Sequence, residues 1–302
     1  MSTTDAPLAG LTTESADPRY AEIDRMTVAE LAAVMNAADT EVPAAVAAAL
    51  PVIVPAIEAT SQRMAGGGRL IYVGAGTPGR IGVLDASECP PTFSTPPELV
   101  FAIIAGGPSA IVHPSEGAED DATAGAAAID AAGVRENDTV IGIASSGRTP
   151  YVIAAVARAR ELGALTVGLS CNLDTPLSAA AEFGIEVAVG PEVLAGSTRL
   201  KAGTAQKLVL NMFSTIVMVQ EGKTYGNFMV DLNPSNHKLR ERAVGMVSAI
   251  ARVDRGRART ALESAGFDVK TAAVMLRLGL DRDTAASRVD AAHGRLREAL
   301  GE

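Results

Sequence analysis

At 302 residues, 48% hydrophobic and 3% aromatic, the chain is long enough for one large α/β domain with a smaller appendage. A net charge of −9 argues against a nucleic-acid partner, which calls for a basic face. No run approaches 18 unbroken apolar residues and the start, MSTTDAPLAG, lacks the basic and apolar regions of a secretory signal, so no membrane partner is expected and a cytoplasmic location is. Cys89 and Cys171 suit a reducing compartment, with Cys89 read as a bystander thiol. His113, His237 and His293 lack ligand spacing, so no metal is expected.

Residues 1–26 read as a loose arm. Thr27 and Glu30 form a capping box that starts a helix running to about Ala38. A second helical region, 40–64, carries Val42, Val46, Ile53 and Ile57 on one side, and Pro51 and Pro55 are expected to kink or split it. Gly66, Gly67 and Gly68 stop it. Apolar strands are then expected at 70–73, 99–105, 139–143, 164–170 and 185–189, with helical stretches at 110–133 and 151–162 between them. That alternation predicts a parallel sheet covered on both faces. A long helix, 197–220, is apolar on most sides, which suggests burial or a subunit interface. After Asn227 the strands stop; a helix over 238–253 and three short helical runs, one capped by Asp268, form a C-terminal subdomain. The expected divisions are 1–64 for the arm and first helices, 65–235 for the α/β domain and 236–302 for the helical region.

Two glycine-containing loops carry the chemistry. The first, Gly74-Ala75-Gly76-Thr77-Pro78-Gly79, follows a strand and opens a helix near Gly79, so its N–H groups can approach an anion. It matches G-x-G-x-x-G, but the acidic residue that a dinucleotide site wants after the second strand is replaced by Ala105-Gly106-Gly107. The second loop, Ser145-Ser146-Gly147-Arg148-Thr149, again ends a strand and opens a helix, and its hydroxyls suit a phosphate monoester; helix capping by Ser146 or Thr149 is the plainer reading. Loops at one sheet edge share a crevice. Glu88 precedes the double proline Pro90-Pro91, which is expected to end its helix, while Glu116, Glu119, Asp120 and Asp121 follow the second strand. Two carboxylates in differing surroundings can divide acid and base work, and a solvated acidic run is the alternative for 116–121.

Taken together, GGRLIYVGAGTPGR, LDASECPP, EGAED, SSGRTPYVIA and KAGTAQKLVLNM resemble the N-acetylmuramic acid 6-phosphate etherases, which are sugar-isomerase (SIS) domain proteins. The resemblance runs from about Leu11 to the C-terminus. It implies a five-stranded parallel, flavodoxin-like sheet, a homodimer and a helical C-terminal extension. It also implies a carbon–oxygen lyase of cell-wall (peptidoglycan) amino-sugar recycling: N-acetylmuramic acid 6-phosphate gives N-acetylglucosamine 6-phosphate and D-lactate by elimination then hydration, without cofactor. By motif the catalytic pair maps to Glu88 and Glu119, and the sugar-phosphate contacts to Gly76, Thr77, Ser145, Ser146, Gly147 and Thr149. Lys201 is a candidate charge partner for the substrate, with a structural ion pair as the alternative. Pro78 stands where the family usually has serine, which removes a hydroxyl and an N–H, and Ser145 stands where alanine is common. An acid role calls for burial, expected for Glu88 between its apolar helix and Pro90-Pro91, whereas Glu119 suits a base. The competing readings are a non-catalytic sugar-phosphate sensor resembling glucokinase regulatory protein and an aldose–ketose isomerase.

Overall fold

The computed structural model describes residues 10–115 and 117–302; Glu116 and the first nine residues of the arm lie outside the described residues. These fall into two compact units, one comprising residues through Ser87 with Glu98–Ser214, the other Glu88–Pro97 with Thr215–Glu302.

The first unit is built on a five-stranded parallel sheet in the order β2-β1-β3-β4-β5. Its strands are β1 (Leu70–Gly74), β2 (Val100–Ile104), β3 (Thr139–Ile143), β4 (Leu165–Ser170) and β5 (Phe183–Glu186). The three central strands are buried along their whole length, as continuous apolar runs with helices on both faces require. Helices α1 (Val28–Asp39), α2 (Val42–Ala65), α3 (Gly76–Phe93), α4 (Ala122–Ala131), α5 (Pro150–Glu161), α6 (Pro176–Ala180) and α7 (Lys201–Gln220) surround it; α3 and α7 each begin in this unit and end in the other. Alternation along β1 assigns the faces. Ile71 and Val73 join a core with Val152, Ala155 and Val156 of α5, while Tyr72 points the other way to Asp85 of α3. Gly125 lets α4 lie directly on α5, since a Cβ there would sit 2.1 Å from the Tyr151 carbonyl oxygen.

Thr27 and Glu30 make the full capping box, the Thr27 hydroxyl accepting the Glu30 N–H at 3.3 Å and Glu30 Oε2 accepting the Thr27 N–H at 2.8 Å. Pro51 and Pro55 do not split the second helix: α2 runs unbroken through both. Both prolines and Ala47 face solvent, where water can satisfy the carbonyls they free, while Val42, Val46, Ile53 and Ile57 are buried. By length and composition alone, residues 28–65 could cross a membrane. Glu30, Asn36, Asp39, Thr40, Glu41 and Glu58 interrupt the stretch, so its longest unbroken apolar run, 42–57, stays short of a span; here α2 packs on β3, β4 and β5.

The arm is not loose within the described residues. It forms three short 3-10 turns, and Asn172 at the end of β4 holds it: Asn172 Oδ1 accepts from the Thr12 hydroxyl at 3.0 Å, and its Nδ2 donates to Thr13 Oγ1 at 2.9 Å. Tyr20 is buried beside Ala38 and Val193. Arg19 bonds Asp17 and Glu41.

The second unit contains the hairpin β6 (Thr224–Tyr225) and β7 (Phe228–Met229), turned at Gly226, so the strands do not stop at Asn227. Helices α8 (His237–Ala251), α9 (Arg255–Ser264), α10 (Val269–Leu278), α11 (Arg282–Ala291) and α12 (Leu296–Leu300) enclose a core around Val247, Leu262, Ala272 and Val274. Asn236, Asp254, Asp268 and Asp281 cap α8 to α11 with their side chains, each cap contributing about 1 kcal/mol. Asp231 accepts from both Lys270 at 2.8 Å and Lys223 at 3.1 Å.

Candidate active site

In a sheet ordered β2-β1-β3-β4-β5 the chain direction of winding reverses between β1 and β3, and a ligand crevice opens beyond their carboxyl ends. The loops leaving those two strands flank a cleft of about 550 Å³ within the first unit. Gly76, Thr77, Glu119, Ser145, Ser146 and Thr149 all line it.

The first loop is tighter than its spacing suggests. Gly74 and Gly79 touch backbone to backbone: a Cβ on Gly74 would lie 2.6 Å from the Gly79 nitrogen, and one on Gly79 would lie 2.8 Å from the Gly74 oxygen. That closure starts α3 at Gly76, three residues before the expected position, and Gly76 takes φ +55 to make the turn. Pro78 falls in the first turn of α3, where a helix tolerates its missing N–H. It lines the cleft with an apolar ring and leaves Thr77 as that loop's hydroxyl donor.

The second loop is held from behind. Ser145 is buried, and its carbonyl accepts from the Cys171 N–H at 3.0 Å and from Asn172 Nδ2 at 2.9 Å. The Ser145 hydroxyl accepts from Gln206 Nε2 at 2.9 Å, so its own proton remains to be donated into the cleft. The Arg148 N–H donates to Ser146 Oγ at 3.2 Å. Thr149 occupies the N-cap position of α5 without a side-chain capping bond, so its hydroxyl is not committed to the helix. The N-termini of α3 and α5 thus both border the cleft with partial positive charge. Gly147 is not among the lining residues. It is required by φ +68 and by space, since a Cβ would reach 2.4 Å from that of Thr175.

Glu119 sits exposed on a 3-10 turn, Ala118–Asp120, at the cleft wall. Asp121 is committed to capping α4 through the Ala124 N–H at 2.9 Å. Lys201 does not line the cleft. Its side chain is 1% exposed, pairs with Glu41 at 3.4 Å, and follows a buried carboxylate, Glu192, that accepts the N–H groups of Lys201 and Ala202. The ion-pair alternative describes it.

The expected burial of Glu88 is corrected. Pro90 and Pro91 do not stop α3, which continues to Phe93 before Ser94 turns out with φ +50. The uninterrupted helix turns Asp85, Ala86, Cys89 and Phe93 inward and leaves Ser87 and Glu88 exposed, Glu88 in the second unit's share of α3 and outside the lining of the cleft.

Several features escape the sequence. Glu14, Arg148 and Thr198 line the cleft. Arg148 lies inside the hydroxyl-rich loop and could have been marked as its cation; Glu14 arrives from the arm with no local signal. Asp85 is buried in α3 and accepts from Tyr72 Oη at 2.6 Å, Asn211 Nδ2 at 2.5 Å and the Ser214 hydroxyl at 3.1 Å, fixing the helix that carries the first loop against α7. Burial, with a smaller push from the Glu192 charge, drives the Cys171 thiol up to about 12, so it is inert. Among the described residues no cluster of three His, Cys, Asp or Glu is placed to hold a metal.

Residues 52–160 match the glucokinase regulatory protein N-terminal SIS domain family, and residues 122–216 the SIS domain family. A phosphoheptose isomerase from Francisella tularensis shares the fold at TM-score 0.51 and 19% identity, over 64% of this chain and all of that one. Much greater likeness is found along the whole chain. An N-acetylmuramic acid 6-phosphate etherase of Streptomyces avermitilis is 55% identical over 98% of this chain and 95% of its own. Those of Rubrobacter xylanophilus and Vibrio atlanticus are 54% and 48% identical, covering 99% and 97% of this chain and 98% and 96% of their own. The chain belongs to the N-acetylmuramic acid 6-phosphate etherase family.

Proposed function

We propose that this protein cleaves the D-lactyl ether of N-acetylmuramic acid 6-phosphate with water, giving N-acetylglucosamine 6-phosphate and D-lactate, as a cytoplasmic carbon–oxygen lyase of peptidoglycan recycling that needs no cofactor. The observation that carries the reading is near-full-length identity to etherases joined to a cleft whose hydroxyls and helix N-termini suit a phosphate monoester, with Glu119 on its wall. Thr77, Ser145, Ser146 and Thr149 take the phosphate and sugar; Gly76 and Gly147 shape their loops. In the open-chain sugar the C1 aldehyde acidifies C2. Glu119 takes the C2 proton, Glu88 protonates the departing lactyl oxygen as the C3–O bond breaks, and water then adds at C3 while C2 regains a proton.

The label follows from that route. In heavy water the amino sugar should carry deuterium at C2, and solvent oxygen-18 should enter the C3 hydroxyl and not the lactate. Mass spectrometry of both products decides it; solvent oxygen found only in lactate would mean displacement at the lactyl carbon instead. A sugar-phosphate sensor, the reading closest to the matched regulatory-protein domain, predicts no D-lactate at all.

The acid needs a cover that excludes water. Leu84, one turn before Glu88 on α3, is 53% exposed, and Leu50, Val52 and Val54 of α2 are also left open. A second copy of the chain supplies the cover, making a homodimer the working form. Sedimentation across a concentration series should then show activity following the dimer, and a fully active monomer at micromolar concentration rules the arrangement out.

A further inference from the structure

Beyond Glu119 the cleft opens into a second lobe of about 200 Å³. The lobe shares Ala75, Gly76 and Glu119 with the main cleft, and its own wall brings Arg80, Ala105, Ala110, Pro114 and Ser115. Arg80 lies one helical turn beyond Gly76 on the same side of α3. Its Nε donates to the Ile111 carbonyl at 2.9 Å, which fixes the plane of the guanidinium. Among the described residues no carboxylate pairs with it and its two terminal nitrogens have no hydrogen-bond partner. A half-buried arginine held by Nε, with its fork open into a pocket, is arranged for a planar two-oxygen anion.

We propose that Arg80 binds the lactyl carboxylate of the substrate and that the lobe holds the lactyl group; the assignment rests on the etherase reading of the cleft. The substrate carries two anions, a phosphate on C6 and a carboxylate on the ether at C3, with the reacting carbons between them. Glu119 lines both spaces, which the hydroxyl loops share on the first and the guanidinium on the second. Ala105, Ala110 and Pro114 offer the lactyl methyl an apolar, shallow surface. The fork also neutralises the carboxylate that would otherwise repel Glu119 as it approaches C2.

The test compares N-acetylmuramic acid 6-phosphate with its lactyl carboxamide, which has the same shape and no charge. The wild-type protein should prefer the carboxylate by about 30-fold or more in kcat/KM, the loss expected when one partner of a desolvated charge pair is removed. Arg80→Ala should lose most of that preference, mainly through KM, Arg80→Lys should recover part of it, and binding of N-acetylglucosamine 6-phosphate, which has no lactyl group, should be unchanged. Arg80→Ala that still discriminates like wild type, or that weakens N-acetylglucosamine 6-phosphate binding equally, overturns the assignment and leaves the etherase reading standing. A wild-type protein that releases no D-lactate overturns both.

Discussion

Replacing Glu119 with glutamine is expected to reduce D-lactate release by about 10²–10⁴-fold, the usual contribution of a positioned proton-transfer group. The substitution keeps size and polarity and removes only the ability to accept a proton at C2. Glu119 is exposed on its turn and, among the described residues, makes no side-chain bond that holds the fold, so stability should be unchanged. Glu88→Gln should cost a similar factor with a different signature. A glutamine in the acid's place cannot protonate the lactyl oxygen, so C3–O cleavage slows while C2 exchange in heavy water, which needs only the base, continues. Solvent deuterium at C2 of unreacted substrate therefore separates the two roles: retained in Glu88→Gln, absent in Glu119→Gln. Near-normal lactate release from both variants would falsify the pairing.

The largest stability loss is expected at the opposite end of the sheet. Asp138, fully buried before β3, accepts the Arg69 N–H at 2.9 Å, Arg69 Nη2 at 2.6 Å and the Arg135 N–H at 3.1 Å. Arg69, before β1, is anchored further on the carbonyls of Ala132 and Gly133. The pair fastens the starts of β1 and β3, the two strands whose far ends carry the loops. Asp138→Ala leaves a guanidinium without its counter-charge in a mostly buried place and should cost about 3–5 kcal/mol, a large share of the roughly 5–15 kcal/mol that holds a typical protein together. Burial raises the Asp138 carboxyl, but the Arg69 hydrogen bonds and the two backbone N–H groups outweigh it and hold it below the ordinary carboxylate range. A depressed folded value means the contribution is complete above the unfolded value of about 3.9 and fades as pH falls through the folded one. Wild type should thus lose part of its advantage over Asp138→Ala below about pH 4. Urea titrations at neutral and acidic pH measure both effects, and a neutral-pH difference under about 1 kcal/mol would contradict the account.

What the sequence reveals and conceals here follows from the range of the forces involved. The parallel sheet is legible because Leu70–Gly74, Thr139–Ile143 and Leu165–Ser170 are apolar throughout, and burial on two faces leaves no other pattern for a strand. The hydroxyl loops are legible because glycine marks the turns. Pro51, Pro55, Pro90 and Pro91 mislead because a proline's cost depends on what its freed carbonyl faces, which is a tertiary fact. The short strand Phe228–Met229 has only one antiparallel partner two residues away, too little to stand out against its surroundings. The face that Glu88 presents could be read only after knowing that its helix does not stop.

The docking of the arm bears on where a gene for such a protein is read to begin. Met26 stands immediately before the capping box of the first long helix and would look like a natural start codon. Translation from it would still encode every strand and every long helix. It would omit Glu14 from the cleft wall and Arg19 from Glu41, and it would leave Asn172, which braces Ser145 from behind, without Thr12 and Thr13. A shortened reading frame of this kind would yield a chain with its sheet and long helices but with a cleft wall that has lost Glu14.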